Sequence, residues 1–211
     1  MKKIILIMLL SFGGYQYYNG QLGGGAGAFD ASGNAQTLLF TFDGCGAPCN
    51  DAVSLLTKRD VTFENINLSD GDEQVARLKS HGGGSQMPVL IAGEHRVERF
   101  HPIKMVSTLA EVYGPQVLSK QEARVMAGHF DKEGSPRLVM YGTQTCGFCT
   151  KAAKYFNDSG VIFADLDIDK SNAARKNYDL LQGAGTPLIY VGFRRVDGFN
   201  KTALDRAIKA L

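Results

Sequence analysis

The sequence predicts an α/β protein made of two small mixed sheets, each four-stranded and flanked by helices. Three observations predict it. The order strand, helix, strand, helix, hairpin, helix is written once across residues 37–114 and again across 137–211. Landmarks recur at a nearly constant offset: Leu38 with Leu138, Cys45 with Cys146, Cys49 with Cys149, Pro88 with Pro187 and Phe100 with Phe199. Such a period marks duplication of one unit. Finally, 211 residues with 44% hydrophobic composition are enough for two compact cores.

In the first unit, Leu38–Phe42 is an apolar strand, Asp43-Gly44 a turn, and Cys45-Gly-Ala-Pro-Cys49 leads into a helix carrying Val53, Leu55 and Leu56. Val61–Leu68 approximates strand alternation, and Asp72–Ser80 is a helix with Val75 and Leu78 inward. A glycine loop runs into Met87-Pro88 and the strand up to Gly93, a turn leads to a strand near Val97, and Pro102 starts a helix with Ile103, Val106, Leu109 and Val112 on one side. Residues 115–136 read as a helical connector, with Ser119-Lys-Gln-Glu122 as its capping box and a helix to about Phe130.

The second unit repeats the plan. Its elements are the Leu138 strand, a helix from Cys149 to Phe156 stopped by Gly160, and a strand over Val161–Ile168. A helix after Ser171 uses Ala174, Tyr178 and Leu181; the Pro187–Val191 and Arg195–Gly198 strands and a helix with Leu204, Ile208 and Leu211 complete it. Ahead of both units, Lys2 and Lys3 precede the apolar run Ile4–Leu10, and a glycine-rich stretch ends near Ala28. Residues 1–28 therefore read as an export signal or short anchor plus spacer, which places the chain outside the cytoplasm, periplasmic or attached to the outer face of the inner membrane.

The chemistry concentrates at Thr143-Gln-Thr-Cys146-Gly-Phe-Cys149. A strand, a loop and a Cys-x-x-Cys pair opening a helix put Cys146 where unpaired N–H groups and the helix dipole favour a thiolate, with Cys149 one turn inward and within disulfide reach. Attack by the outer sulfur and resolution by the inner one follow from position. A structural zinc would need a second ligand pair at matching spacing, and none is near, so no metal is expected. A net charge of +2 without a basic cluster gives no reason to expect nucleic acid. His81, His95, His101 and His129 are scattered and read as surface or loop residues; Asp165, Asp167 and Asp169 read as a solvated strand end; Arg194 and Arg195 read as hairpin-turn charges.

Tyr141 ahead of Cys146-Gly-Phe-Cys149, Thr186-Pro187 before a strand, and Val196-Asp-Gly198-Phe-Asn200 before the last helix resemble a glutaredoxin over roughly residues 137–211, with a weaker copy upstream. The resemblance implies a thioredoxin-like fold and a thiol–disulfide oxidoreductase in which Cys146 attacks protein disulfides or glutathione mixed disulfides and Cys149 resolves them. It implies a cis Thr186-Pro187 peptide pairing with substrate and a glutathione site drawing on Tyr141, Phe148, Thr186, Pro187, Gly198 and Asn200. Met87 and Pro88 are the equivalent groove in the first unit. No cofactor is required; glutathione is the implied co-substrate, and the partners are glutathione or thiol and disulfide proteins. The motif also resembles that of monothiol relatives that hold an iron–sulfur cluster, and a non-catalytic docking protein is a third reading. For Cys45 and Cys49, separated by three residues with Pro48 between, three readings stand: a second active dithiol, a stable disulfide, or a decayed copy with idle thiols.

Overall fold

A computed structural model describes residues 26–209 and 211; the expected export segment lies outside them. Two four-stranded sheets are present, of strand order β2-β1-β3-β4 and β6-β5-β7-β8. In the first, β1 (Thr37–Thr41) pairs parallel with β2 (Glu64–Asn67) and antiparallel with β3 (Val89–Ala92), which pairs with β4 (His95–Glu98). Helices α1 (Ala47–Lys58) and α2 (Asp72–Ser80) supply the crossovers. The face toward α2 is a cluster of Leu38, Phe40, Ile66, Leu78, Val89 and Ile91. Val75, expected inward with Leu78, is half-buried. Ala28 joins that cluster and its N–H donates to Gly93 O at 2.8 Å, so the end of the expected spacer is packed chain.

The second sheet is formed by β5 (Leu138–Gly142), β6 (Phe163–Asp167), β7 (Leu188–Val191) and β8 (Arg194–Asp197) in the same pattern of one parallel and two antiparallel pairs. Because both faces are covered, β5 and β7 are apolar at every position rather than alternating. Leu138, Met140, Ile189 and Val191 face α5 (Gly147–Asp158) and α7 (Lys201–Ile208), packing on Ala152, Phe156, Leu204 and Ala207. Val139, Tyr141, Leu188 and Tyr190 face α6 (Asn172–Leu180) and two helices that precede the sheet, α3 (Pro102–Tyr113) and α4 (Lys120–Met126).

The register corrects the alignment of the two copies. Phe40 lies opposite Val89 just after Pro88, and Tyr141 lies opposite Leu188 just after Pro187. Phe40 is therefore the counterpart of Tyr141, and Leu38 that of Val139 rather than Leu138. The sequence did not disclose this because β1 and β5 are buried at every position and share an apolar middle, so no alternation fixes the register between them.

By contacts the chain divides between Phe100 and His101, so α3, placed by the sequence in a unit ending at 114, groups with the second unit. Its buried residues are Ile103, Met105, Val106, Ser107, Leu109 and Ala110, a broader face than the single stripe expected. Ile103 joins the cluster under β5 and β7, and Arg194 on β8 holds Glu111. The connector helix is capped as expected: Ser119 Oγ accepts the Glu122 N–H at 3.3 Å, and Glu122 Oε2 accepts the Ser119 N–H at 2.7 Å. Leu211, expected inward with Leu204, is 52% exposed.

Candidate active site

The buried strand β5 ends at Gly142, and Cys146 is the N-cap of α5. Its Sγ accepts the Cys149 N–H at 3.0 Å, as a serine oxygen would at a conventional cap. Cys146 is half-buried and Cys149 is 4% exposed; the two form a disulfide with Cα atoms 5.2 Å apart. One sulfur thus faces entry and the other is sheltered. Gly142 makes room for the inner one: a Cβ there would lie 2.9 Å from Cys149 Sγ. A glycine ending an otherwise bulky apolar strand was the available signal.

Phe148, between the cysteines, is 58% exposed, with the Lys151 ammonium 5.2 Å from its ring centroid. Thr143, Gln144 and Thr145 carry no charge into the loop before Cys146. The Thr186-Pro187 peptide is cis, as is Met87-Pro88. The pairing of Leu188 with Tyr141 puts Thr186-Pro187 at the end of the sheet from which the Cys146 loop departs. Thr186 is half-buried and Pro187 is buried, its carbonyl accepting the Gly198 N–H at 2.8 Å. Asn200 is the N-cap of α7, and its Oδ1 accepts the Ala203 N–H at 3.0 Å, so that oxygen has a structural task.

Three expectations are overturned. Tyr141 is 1% exposed on the face of β5 opposite Cys149, and its hydroxyl is 3.0 Å from His129 Nε2, so it cannot touch a substrate at the dithiol. His129 is not a surface residue: it is 0% exposed, stacks on Tyr190 at 4.5 Å, and burial pushes its pKa down to about 4. Arg194 and Arg195 lie on β8 rather than in the turn. Arg194 is paired with Glu111, while Arg195 donates to Asp197 Oδ1 at 2.8 Å, Tyr190 OH at 3.3 Å and the Leu181 and Gln182 carbonyls, leaving neither guanidinium for a ligand. Asp167 Oδ1 caps the turn after β6 through the Asp169 and Lys170 N–H groups, and Asp169 pairs with Arg175.

In the first unit Cys45 and Cys49 also form a disulfide, with Cα atoms 5.7 Å apart. Cys45 ends a 3-10 turn that begins at Asp43, Gly46 is the N-cap of α1, and Pro48 lies in its first turn, as the sequence implied. The loop is pinned to its neighbour: the Asp43 N–H donates to Ser69 Oγ at 3.1 Å, and Asn67 Nδ2 donates to Asp43 Oδ1 at 2.8 Å. Met87 is half-buried and Pro88 buried.

A curated relative, an uncharacterized glutaredoxin-like 8.6 kDa protein in the rubredoxin operon of Clostridium pasteurianum, is 28% identical over 73 residues, covering 34% of this chain and 97% of that protein. Among solved structures, the glutaredoxin grx-1 of Archaeoglobus fulgidus matches at 25% identity and a TM-score of 0.32, covering 36% of this chain and 90% of that one. The glutaredoxin family model matches twice, over residues 37–97 and 138–196, which is more than half the chain; with its two sheets and two cysteine pairs, the protein belongs to the glutaredoxin family as a tandem.

Proposed function

We propose that the second unit is a thiol–disulfide oxidoreductase acting on protein disulfides or glutathione mixed disulfides, with Cys146 as nucleophile and Cys149 as resolving thiol. The observation that carries this reading is the place of Cys146 Sγ at the cap of α5, against the Cys149 N–H at 3.0 Å. In the reduced protein the same N–H groups favour the thiolate. That thiolate attacks one substrate sulfur, forming a Cys146 mixed disulfide and expelling the other sulfur as a thiolate. Cys149 then attacks Cys146 Sγ, releasing the remaining substrate thiolate and leaving the Cys146–Cys149 disulfide. The dithiol has given two electrons to the substrate. Thr186 and Pro187 align the incoming disulfide, Phe148 gives it an apolar contact, and the turn at Gly198 and Asn200 receives a glutathione carboxylate. Glutathione or a thiol protein re-reduces the pair, outside the cytoplasm in this reading, and no organic cofactor takes part.

The test is glutathione-dependent reduction of a small mixed disulfide and of an intrachain protein disulfide by the full chain carrying Cys45→Ser and Cys49→Ser. Adding Cys146→Ser should lower both rates by about 100-fold or more, since it removes the nucleophile. Adding Cys149→Ser should spare the small substrate and abolish turnover of the intrachain disulfide. Undiminished activity after Cys146→Ser would sink the assignment.

A further inference from the structure

We propose that the two dithiols are ordered in redox stability: the Cys45–Cys49 disulfide is held the more firmly oxidised, the Cys146–Cys149 disulfide is the readily reduced one, and electrons therefore pass from the first pair to the second. The order concerns equilibrium between the two pairs and holds whichever disulfide the second unit turns over. A disulfide is easier to reduce when the protein stabilises the thiolate that reduction produces. Around the two pairs, three such influences differ in the same direction.

The first is the helix cap. Cys146 is the N-cap residue of α5 and its Sγ takes the Cys149 N–H, whereas Cys45 lies one residue ahead of the Gly46 cap of α1, which has no side-chain cap hydrogen bond. The second is the number of donors. Gly147, Phe148 and Cys149 each bring an N–H to the first turn of α5, but Pro48 removes one from α1.

The third is the sign of the neighbouring charge. The register makes Asp43 the counterpart of Gln144, and two residues beyond the inner cysteine the first unit has Asp51 where the second has Lys151. Asp43 begins the 3-10 turn that ends in Cys45 and is held there by Asn67 and Ser69. Lys151 stands over Phe148, between the two cysteines of its own unit. A carboxylate disfavours a nearby thiolate and an ammonium favours it.

Transfer in the stated direction balances. In an encounter between two chains, the Cys45 thiolate of one attacks one sulfur of the other's Cys146–Cys149 and expels the second sulfur as a thiolate; Cys49 then attacks Cys45 Sγ and releases the first. Two electrons leave the first pair as its disulfide forms, and the second pair is left as a dithiol.

The experiment is an equilibrium titration of the full chain against a graded dithiol couple, with acid quench, alkylation of free thiols and separate quantification of the two cysteine peptides. Cys146–Cys149 should reduce first, with the two equilibrium constants at least about tenfold apart, which is about 30 mV. Asp43→Asn combined with Asp51→Lys should make the first pair easier to reduce, and Lys151→Asp should make the second harder, drawing the midpoints together. Coincident midpoints, the reverse order, or midpoints that ignore both charge changes would overturn the proposal. Because the readout is equilibrium and not turnover, its failure is distinct from a failure of the activity assay.

Discussion

A fragment of residues 137–211 should show no cooperative melting transition, whereas one of residues 101–211 should melt as a single unit. The longer fragment keeps α3 and α4, which bring Ile103, Val125 and Met126 into the cluster with Val139, Tyr141, Leu188 and Tyr190. Burial of each of the three apolar side chains contributes about 2 kcal/mol. Their loss removes about 6 kcal/mol, against a domain stability of roughly 5–15 kcal/mol. The shorter fragment also discards His129 and Ser107, which adjoin the Tyr141 and Tyr190 hydroxyls. It is the piece that sequence matching alone would excise, since the second family match begins at residue 138. Thermal melting of the two fragments, with dye binding to report exposed apolar surface, decides the matter. Equal melting temperatures would refute the claim that α3 and α4 belong to this core.

Acidification from pH 7 to pH 4 should cost about 3 kcal/mol of stability through His129 alone. Its pKa falls from 6.5 to about 4 because burial disfavours the imidazolium, and the Arg137 charge adds to this; the Gly192 backbone opposes it. The unfolded chain takes up this proton near pH 6.5 and the native state only near 4, so between those values the unfolded state binds more protons. The stabilisation is complete above pH 6.5 and is lost as pH falls toward 4. Tyr141, whose pKa is pushed up to about 12 by burial, and Tyr190, also raised by burial, are neutral throughout this window and add no slope of their own. Denaturant unfolding of wild type and His129→Gln at pH 7, 6, 5 and 4 isolates the effect. The advantage of wild type over the variant should shrink by about 3 kcal/mol across the series. A gap that does not change with pH would show that His129 is not the buried neutral group.

The sequence made the repeat, the order of elements and the outer and inner sulfurs legible, because each is written in local spacing. What it hid depended on which side of an element a residue faces. Tyr141 adjoins the dithiol in sequence yet points to the other side of β5, and with both faces of that strand buried no alternation could reveal it. His129 follows Val125 and Met126 by one turn, a weak hint that the connector helix turns an inward face to the second sheet. The grouping of α3 with the second unit was not legible either, since its apolar residues mark a buried face but do not say which sheet that face covers. The contrast between Asp51 and Lys151 was already set by the matched inner cysteines, whereas that between Asp43 and Gln144 emerged only once the register had aligned the two copies.

The shared register also bears on how the chain avoids exchanging strands while it folds. Two sheets of one pattern in one polypeptide invite a strand of one copy to pair in the other, a recurrent failure of repeat proteins. Here the backbone offers no discrimination, and the side chains supply it. Tyr141 and Tyr190 stand where the first copy has Phe40 and Ile91. Were β1 to enter the second sheet, buried His129 would lose the phenol at its Nε2; were β3 to enter, Ser107 and Arg195 would lose the Tyr190 hydroxyl. In the converse exchange the hydroxyl of Tyr141 would take the place of Phe40 among Leu38, Ile66, Leu78 and Val89. Unpaired buried polar groups of this kind cost about 1–3 kcal/mol each, so two phenolic oxygens act as a label telling each strand which sheet is its own.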